Sequence, residues 1–371
     1  MFSIFSSKSP SYLGIDIGSA SVKVVELESK DGSIYLKNYG FVEKMPNIEG
    51  GDAKDIDRSA HIIKEIYRQG GFTAKKVVAA LHNFDVFTSV INLPKMQSDG
   101  KMEDIIRTEA RKFVPIPLED VVLDWKILNK PSIKTKDKNK IDSQGDREKF
   151  FLEEQDTTDV LLTAAPRRLV SRYVEIFQKA RLNLLSLETE SFALIRSLLN
   201  RDAPFSLMII DIGAVATDII IIEYDTPVVI RTVDVGGMAI TAAIAGSLGI
   251  DLERAEQFKR DIGILSDQTA EQNNSIAQII ESAFAPVVNE ISYSIDLYKT
   301  RDKSIEKIIL SGGSAYMLGL ADFLRQTFTL PVHIGDPWHK IIYPKPLESS
   351  LKELSSMFSV AIGLALKELG G

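Results

Sequence analysis

An Asp-Ile-Gly motif occurs twice in this chain, as Gly14-Ile-Asp-Ile-Gly-Ser19 and, 195 positions later, as Ile210-Asp-Ile-Gly-Ala-Val-Ala-Thr217. Each copy closes an apolar run, passes through small or hydroxyl residues and opens a second apolar run, Val22 to Leu27 in one case and Ile219 to Ile222 in the other. That pattern predicts strand, tight turn, strand. The glycine lets backbone approach a ligand without an intervening Cβ, and bare amides with small hydroxyls in such a turn can cradle a phosphate oxygen. An aspartate at the end of a buried strand suits a hydrated magnesium ion, which keeps most of its waters. Two such hairpins facing each other would clamp a nucleoside triphosphate from both sides.

A third element strengthens the pattern. Ile308-Ile-Leu-Ser-Gly-Gly-Ser314 is an apolar run that breaks into a glycine pair and leads into helical spacing at Leu320, Phe323 and Leu324. Such a pair opening a helix lets a flat base or ribose lie against the backbone. No G-x-x-x-x-G-K-[ST] loop and no G-x-G-x-x-G fingerprint occurs, which removes support from the two commonest nucleotide folds.

Composition narrows the classes further. The 371 residues allow more than one core. No apolar stretch approaches the roughly 20 residues needed to cross a bilayer, and the opening Met1 to Lys8 has no long apolar core, so no secretory signal is expected. With no cysteine, disulfides and thiolate metal sites are excluded, as fits a reducing compartment. A net charge of −7 argues against nucleic-acid binding. The histidines (His61, His82, His333, His339) lack metal-ligand spacing and read as surface or packing residues.

Along the chain, strands are expected over 12–45, with turns at Asp31-Gly32 and Asn38 to Gly40, then a helix over 57–70 and strands at 76–81 and 86–93. A short helix at 103–113 and a strand at 121–128 follow. Residues 129–157 are charged and poor in apolar anchors, and read as a solvated or disordered loop. Strand, helix and strand recur at 160–164, 167–181 and 184–187, with a helix at 192–199. Beyond the second hairpin the pattern predicts a strand at 228–235 and two helical stretches in 239–262. A long helix follows at 276–298, with Pro286 near its first turns or kinking it, and an amphipathic helix at 355–369 ends the chain. The alternation gives an α/β class with more than one lobe.

The three elements, in this order, resemble the actin-like ATPase superfamily. Val233-Asp-Val-Gly-Gly-Met-Ala-Ile-Thr241 and Ala255-Glu-Gln-Phe-Lys-Arg-Asp-Ile-Gly263 look like the linker and purine-contacting helix of bacterial actins and of the division protein FtsA. Asp16 to Glu26, Glu190-Ser-Phe-Ala-Leu194, Ser294-Ile-Asp-Leu-Tyr298 and Gly312 to Leu320 carry a narrower likeness to the PilM-type family of type IV pilus assembly, over essentially the whole chain. The resemblance implies duplicated ribonuclease-H-like lobes with a small inserted α/β subdomain. Its expected divisions are 1–83, 183–203 and 345–371 for the first lobe and 84–182 for the insert. The second lobe takes 204–240 (the phosphate hairpin), 241–304 (its outer part) and 305–344 (the adenosine motif).

Residue by residue, the resemblance implies that Asp16 and Asp211 hold magnesium through water. It implies that Gly18, Ser19, Ser21 and Lys23 form the first phosphate loop, and that Gly213 and Thr217 belong to the second. Gly236 and Gly237 would face the terminal phosphate, Glu256 and Lys259 would grip ribose and adenine, and Gly312, Gly313 and Ser314 would form the adenosine loop. Read without that frame, Glu256 and Lys259 are an exposed pair at i and i+3. Many relatives position the attacking water with a Glu-Pro element; here the stretch is Leu187-Glu-Thr-Glu-Ser191, so either Glu188 or Glu190 is the candidate catalytic carboxylate.

The function so implied is a cytoplasmic, ATP-binding scaffold with slow hydrolysis at most. It would sit peripherally at the inner-membrane face and dock the N-terminal tail of a PilN-like membrane protein, in a groove beside the inserted subdomain, within the pilus assembly platform; it could also self-associate. The alternatives are an FtsA-like division or other filament protein, whose separate C-terminal tether is expected to be missing here, and a small-molecule kinase, for which no second Asp base stands out.

Overall fold

The computed structural model describes residues 10–43, 52–94, 102–128, 157–200, 206–264, 271–300 and 303–370. The charged stretch expected to be a loop at 129–157 lies, except for Thr157, outside them.

The chain opens with β1 (Ser11–Ile17), β2 (Ser21–Lys30) and β3 (Ser33–Glu43), an antiparallel meander, followed by α1 (Asp52–Gln69) and by β4 (Lys76–Leu81) parallel to β1. A single 3-10 turn at Asn83–Asp85 leads to β5 (Phe87–Pro94), α2 (Met102–Phe113), β6 (Val121–Leu128) and β7 (Thr157–Pro166). Then come α3 (Arg167–Ala180), β8 (Asn183–Thr189) and α4 (Glu190–Leu198). The second hairpin is β9 (Ser206–Ile212) and β10 (Thr217–Glu223), extended by β11 (Thr226–Val233). After it run α5 (Gly237–Leu248), α6 (Leu252–Ile262), α7 (Glu271–Lys299), β12 (Ile308–Ser311), α8 (Leu320–Phe328), β13 (Val332–Ile334), α9 (Glu348–Glu353) and α10 (Ser359–Leu366).

The sequence duplication is a duplication of topology. One sheet has the order β3-β2-β1-β4-β8 and the other β11-β10-β9-β12-β13, each an antiparallel meander continued by two parallel strands. The second sheet is buried on both faces, which explains its unbroken apolar runs. Met208, Ile210 and Ile212 face a core with Ile240 of α5 and Phe284 and Val287 of α7. Their neighbours Leu207 and Ile209 face a different core with Leu194 of α4 and Leu364 of α10. On its other side α10 packs Ala361 and Ile362 against Val25 and Leu27 of β2.

That double contact corrects one expectation. The final segment is not an amphipathic helix but a buried one, with all eight residues of α10 hidden, flanked by 3-10 turns. A helix covered on every side has no polar face to show. The expected turn at Asn38–Gly40 is also replaced, by a bulge in β3: the pairing shifts so that Lys37 is the extra residue between Leu36 and Asn38. Asn38 donates to the carbonyl of Gly70, and a Cβ on Gly40 would sit 3.3 Å from Ile66 of α1. Pro286 lies in the middle of α7, not near its start. Beside β2, the buried Glu26 carboxylate accepts from Thr73 N (2.8 Å), Thr73 Oγ1 (2.7 Å) and Ala74 N (3.1 Å) and pairs with Lys37, fixing the approach to β4.

A second compact unit spans Phe87–Arg167. Its sheet has the order β5-β7-β6, all antiparallel, and α2 covers one face with Ile106 and Ala110 against Leu93, Val160 and Leu162. The sequence-based span of 84–182 therefore runs past this unit at both ends, through α3, which belongs with the larger one.

Candidate functional site

The two hairpins present their turns to one cavity of about 760 Å³. In the first, β1 pairs with β2 so that Asp16 and Lys23 lie opposite each other, and Lys23 Nζ donates to Asp16 Oδ2 at 2.8 Å. Asp16 is 4 % exposed, and its other oxygen, Oδ1, is buried without a hydrogen-bond partner. A buried carboxylate oxygen left unpaired is costly unless something of opposite polarity arrives. Gly18, Ser19 and Ser21 complete this wall.

The second hairpin repeats the register with different chemistry: opposite Asp211 stands Asp218 where the first hairpin has a lysine. Burial first, then Glu190 and Asp218, push the Asp211 carboxyl up to about 7. Burial and Glu190 likewise raise Asp218 to about 6, against bonds from Thr232 and Asn83. Gly213 lines the cavity; Thr217 does not, because its hydroxyl donates to the carbonyl of Val235 at 2.7 Å. Of Gly236 and Gly237, the second lines the cavity and the first does not; the N–H of Gly237 donates to Gly213 O at 2.9 Å. Gly236 packs on the hairpin, where a Cβ would lie 2.6 Å from Ala214 O.

Gly312, Gly313 and Ser314 also line the cavity, as do Glu256 and Lys259. Gly312 has φ +88, and a Cβ there would stand 2.4 Å from Ile212 O, so this glycine serves the close contact between β12 and β9. Gly313 has nothing within 4 Å of the same point and is the one that offers bare backbone. The Glu256–Lys259 pair is no exposed helix pair. Lys259 is 6 % exposed, and its ammonium donates to Glu256 Oε2 (2.6 Å), Thr241 Oγ1 (2.9 Å) and Gly237 O (3.0 Å), which engages all three protons. Burial lowers the Lys259 pKa; it opposes the Glu256 charge, but bonds from Lys259, Thr241 and Arg260 outweigh it and hold that carboxyl below its ordinary value.

The two candidate catalytic carboxylates part company. Glu188 lies outside the cavity lining, gripped by Arg196 (Oε2 to Nη2, 3.0 Å) and Lys367 (3.3 Å), whereas Glu190 opens α4 and lines it. The change from strand to helix at Thr189 turns the two side chains to different surroundings. Glu190 Oε1 pairs with His82 Nδ1 at 2.8 Å and Oε2 accepts from Asn83 N at 3.1 Å. His82, read from sequence as a surface or packing residue, therefore belongs to the site. Burial disfavours its cation, but Glu190 more than compensates and the pKa rises to about 9. Sequence reasoning also missed Asp218, Thr241, Met357 and Val360 as lining residues. Asp218 carried a signal, since it stands seven residues after its aspartate, as Lys23 does in the first copy, and Thr241 ends the Val233–Thr241 motif.

The pKa shifts predict a pH effect. Asp211, Asp218 and His82 all bind a proton more tightly folded than unfolded, so each stabilises the fold at low pH. The carboxyl contributions are present below about 4 and are lost as pH rises through about 6 and about 7; that of His82 is present below about 6.5 and is lost through about 9. Melting of the free protein should therefore show Asp211→Asn gaining stability over wild type as pH rises from about 5 to about 8, by a few kcal/mol. Equal pH slopes for the two would refute this.

Two matched hairpins on duplicated sheets, facing a cavity closed by a Gly-Gly-Ser loop, define an actin-like ATPase fold. The chain matches the family described as type IV pilus assembly protein PilM over residues 14–150 and 146–369, and it belongs to that family. It is similar to a structure titled "PilM-PilN type IV pilus biogenesis complex", with a TM-score of 0.77 and 27% identity, covering 96% of this chain and 98% of that one. MreB 5 of Spiroplasma citri bound to AMPPNP shares the fold at a TM-score of 0.52 and 14% identity, over 97% of this chain and 96% of that one. The cell division protein FtsA of Bacillus subtilis (strain 168) is 22% identical over 354 residues, 88% of this chain and 78% of the relative. Among the described residues no helix is long and apolar enough to cross a membrane.

Proposed function

We propose that this chain binds Mg-ATP in the cavity and serves type IV pilus assembly as a nucleotide-dependent scaffold on the cytoplasmic face of the inner membrane, holding the N-terminal tail of a PilN-like protein. The observation that carries the nucleotide reading is the unpartnered, buried Oδ1 of Asp16 beside an Asp16–Lys23 ion pair, in a cavity that a second aspartate, Asp211, also lines. Among the described residues no three carboxylates or histidines are set to ligate a metal directly. The carboxylates of Asp16 and Asp211 fit magnesium held through its waters, with the ion's charge offsetting the triphosphate. Lys23 supplies the cation for phosphate, Gly313 and Ser314 the backbone for the adenosine, and Glu256 the carboxylate for a ribose hydroxyl. Lys259 fixes Glu256 and the start of α5.

Hydrolysis is expected to be slow. The Glu-Pro element that positions the water in many relatives is altered here, and Glu190 is instead tied to His82 and Asn83, while water positioning needs exact placement. A rate well below the roughly 1–100 s⁻¹ of efficient phosphoryl-transfer enzymes is expected. For the partner, the inserted unit offers two strand edges, β5 and β6, on a sheet of three strands, and an extended tail can add to such an edge. Support comes from family membership and from the likeness to the PilM-PilN complex. Calorimetry with Mg-ATP, then with a tail peptide in the presence and absence of nucleotide, tests the reading. The expected result is ATP binding and a change of about five- to 150-fold in peptide affinity. No heat with ATP, even with peptide present, sinks the nucleotide assignment, and equal peptide affinities remove the switch.

A further inference from the structure

The turn that leaves the cavity is also the turn that enters the inserted unit. His82 and Phe84 line the cavity with their rings stacked at 5.1 Å, and Val86 is the last residue before the separate unit begins at Phe87. Between them Asn83, 7 % exposed, is bonded on every side. Its N–H donates to Glu190 Oε2 at 3.1 Å, and its Oδ1 accepts from the hydroxyl of Ser191 at 2.7 Å. Its Nδ2 donates to Asp218 Oδ2 at 2.9 Å, and the other oxygen of Asp218 is held by Thr232.

One carboxamide thus ties the start of α4, the second phosphate hairpin and β11 to a turn of three residues that becomes β5. We infer that the turn from His82 to Val86 passes the state of the cavity to the inserted unit, with Asn83 as its positioning residue. The inference rests on the nucleotide reading above. Asp218 and Glu190 line the space a triphosphate and its cation would enter, so a ligand that draws on either carboxylate changes what Asn83 is bonded to. A buried amide cannot give up such bonds without moving. Its displacement is carried by the backbone, because the turn is closed on itself by Asp85 N to His82 O and Val86 N to Asn83 O.

The test is hydrogen–deuterium exchange on the full chain with and without Mg-ATP, reading peptides that cover 14–23, 82–94 and 211–218. In wild type Mg-ATP is expected to change exchange over 82–94 by about fivefold or more. Asn83→Asp keeps the shape and the acceptor for Ser191 but sets a second carboxylate against Asp218, and the response over 82–94 should be lost. Asn83→Asp with Asp218→Asn restores a donor and an acceptor in reversed order, and the response should return. A residue with a merely structural role would lower the melting temperature and leave the nucleotide response intact. If Asn83→Asp does not fold, Asn83→Ala removes the bonds without adding charge and is expected to lose the response equally.

Protection of both hairpins without any change at 82–94, or a change that survives in the Asn83 variants, overturns the relay while leaving nucleotide binding in place. Silence at the hairpins together with no calorimetric heat overturns the nucleotide reading, and the relay falls with it.

Discussion

Gly363→Ala is expected to cost about 3 kcal/mol or more, or roughly 5 °C or more in melting temperature for a unit of this size. A methyl at this position would lie 1.9 Å from the carbonyl oxygen of Ala193 in α4 and 2.5 Å from its carbon. Neither atom can give way as a side chain would, because both belong to a helix backbone. Gly14→Ala meets the same obstacle from the other side: its methyl would fall 1.9 Å from Ala361 O and 2.6 Å from Ala365 N of α10. These two glycines let α10 lie directly on β1 and α4, which is how one buried helix bonds the first sheet to the core beneath the second.

Gly14 has a further consequence, since it precedes Asp16 by two residues on the same strand. Displacing β1 moves the carboxylate, so any Gly14→Ala protein that survives should also bind Mg-ATP more weakly. Gly246→Ala is the control. It lies exposed inside α5 with nothing within 4 Å of the added methyl, and is expected to stabilise by about 0.5–1 kcal/mol. Circular dichroism melts of the three variants decide the matter, and Gly363→Ala melting within a degree or two of wild type would refute the packing argument.

The hairpins were legible because their logic is local: an apolar run, an aspartate, a glycine and a second run determine strand, turn and register together. The duplication could be read for the same reason. What was not legible depends on neighbours far away in the chain. Nothing in the spacing of Glu188 and Glu190 tells that Arg196 and Lys367 hold the first. His82 looked idle because Glu190, its partner, is 108 residues away. Lys259 has the i, i+3 spacing of a solvent-facing pair, and only α5, with Gly237 and Thr241, makes it a buried one. The last helix misled for a related reason. Periodicity reports one apolar face, whereas α10 is packed between two cores and needs two.

Asp16 and Lys23 should not behave as independent contributors to ligand binding. At 2.8 Å each is the other's partner in the free protein, with side chains 6 % and 12 % exposed. Lys23→Met leaves a buried carboxylate with both oxygens unpaired, and removing one partner of a buried pair costs about 3–5 kcal/mol where burial is complete. The double variant Asp16→Asn/Lys23→Met removes the orphaned charge and should melt higher than Lys23→Met alone, a coupling of about 0.5–3 kcal/mol. In binding, the two single variants separate the metal from the phosphates. Asp16→Asn takes away an acceptor for the metal's waters, and should lower affinity for Mg-ATP by about 10–100-fold, the usual effect of losing a group that acts on a metal through its ligands. Because it also releases Lys23, affinity for ATP without magnesium should hold or rise. Lys23→Met should instead weaken ATP strongly and adenosine little, with or without the metal. Titration calorimetry at fixed free magnesium, repeated in a chelator, measures each of these affinities. If Asp16→Asn keeps the wild-type dependence on magnesium, Asp16 does not serve the ion, and its unpartnered oxygen needs another explanation.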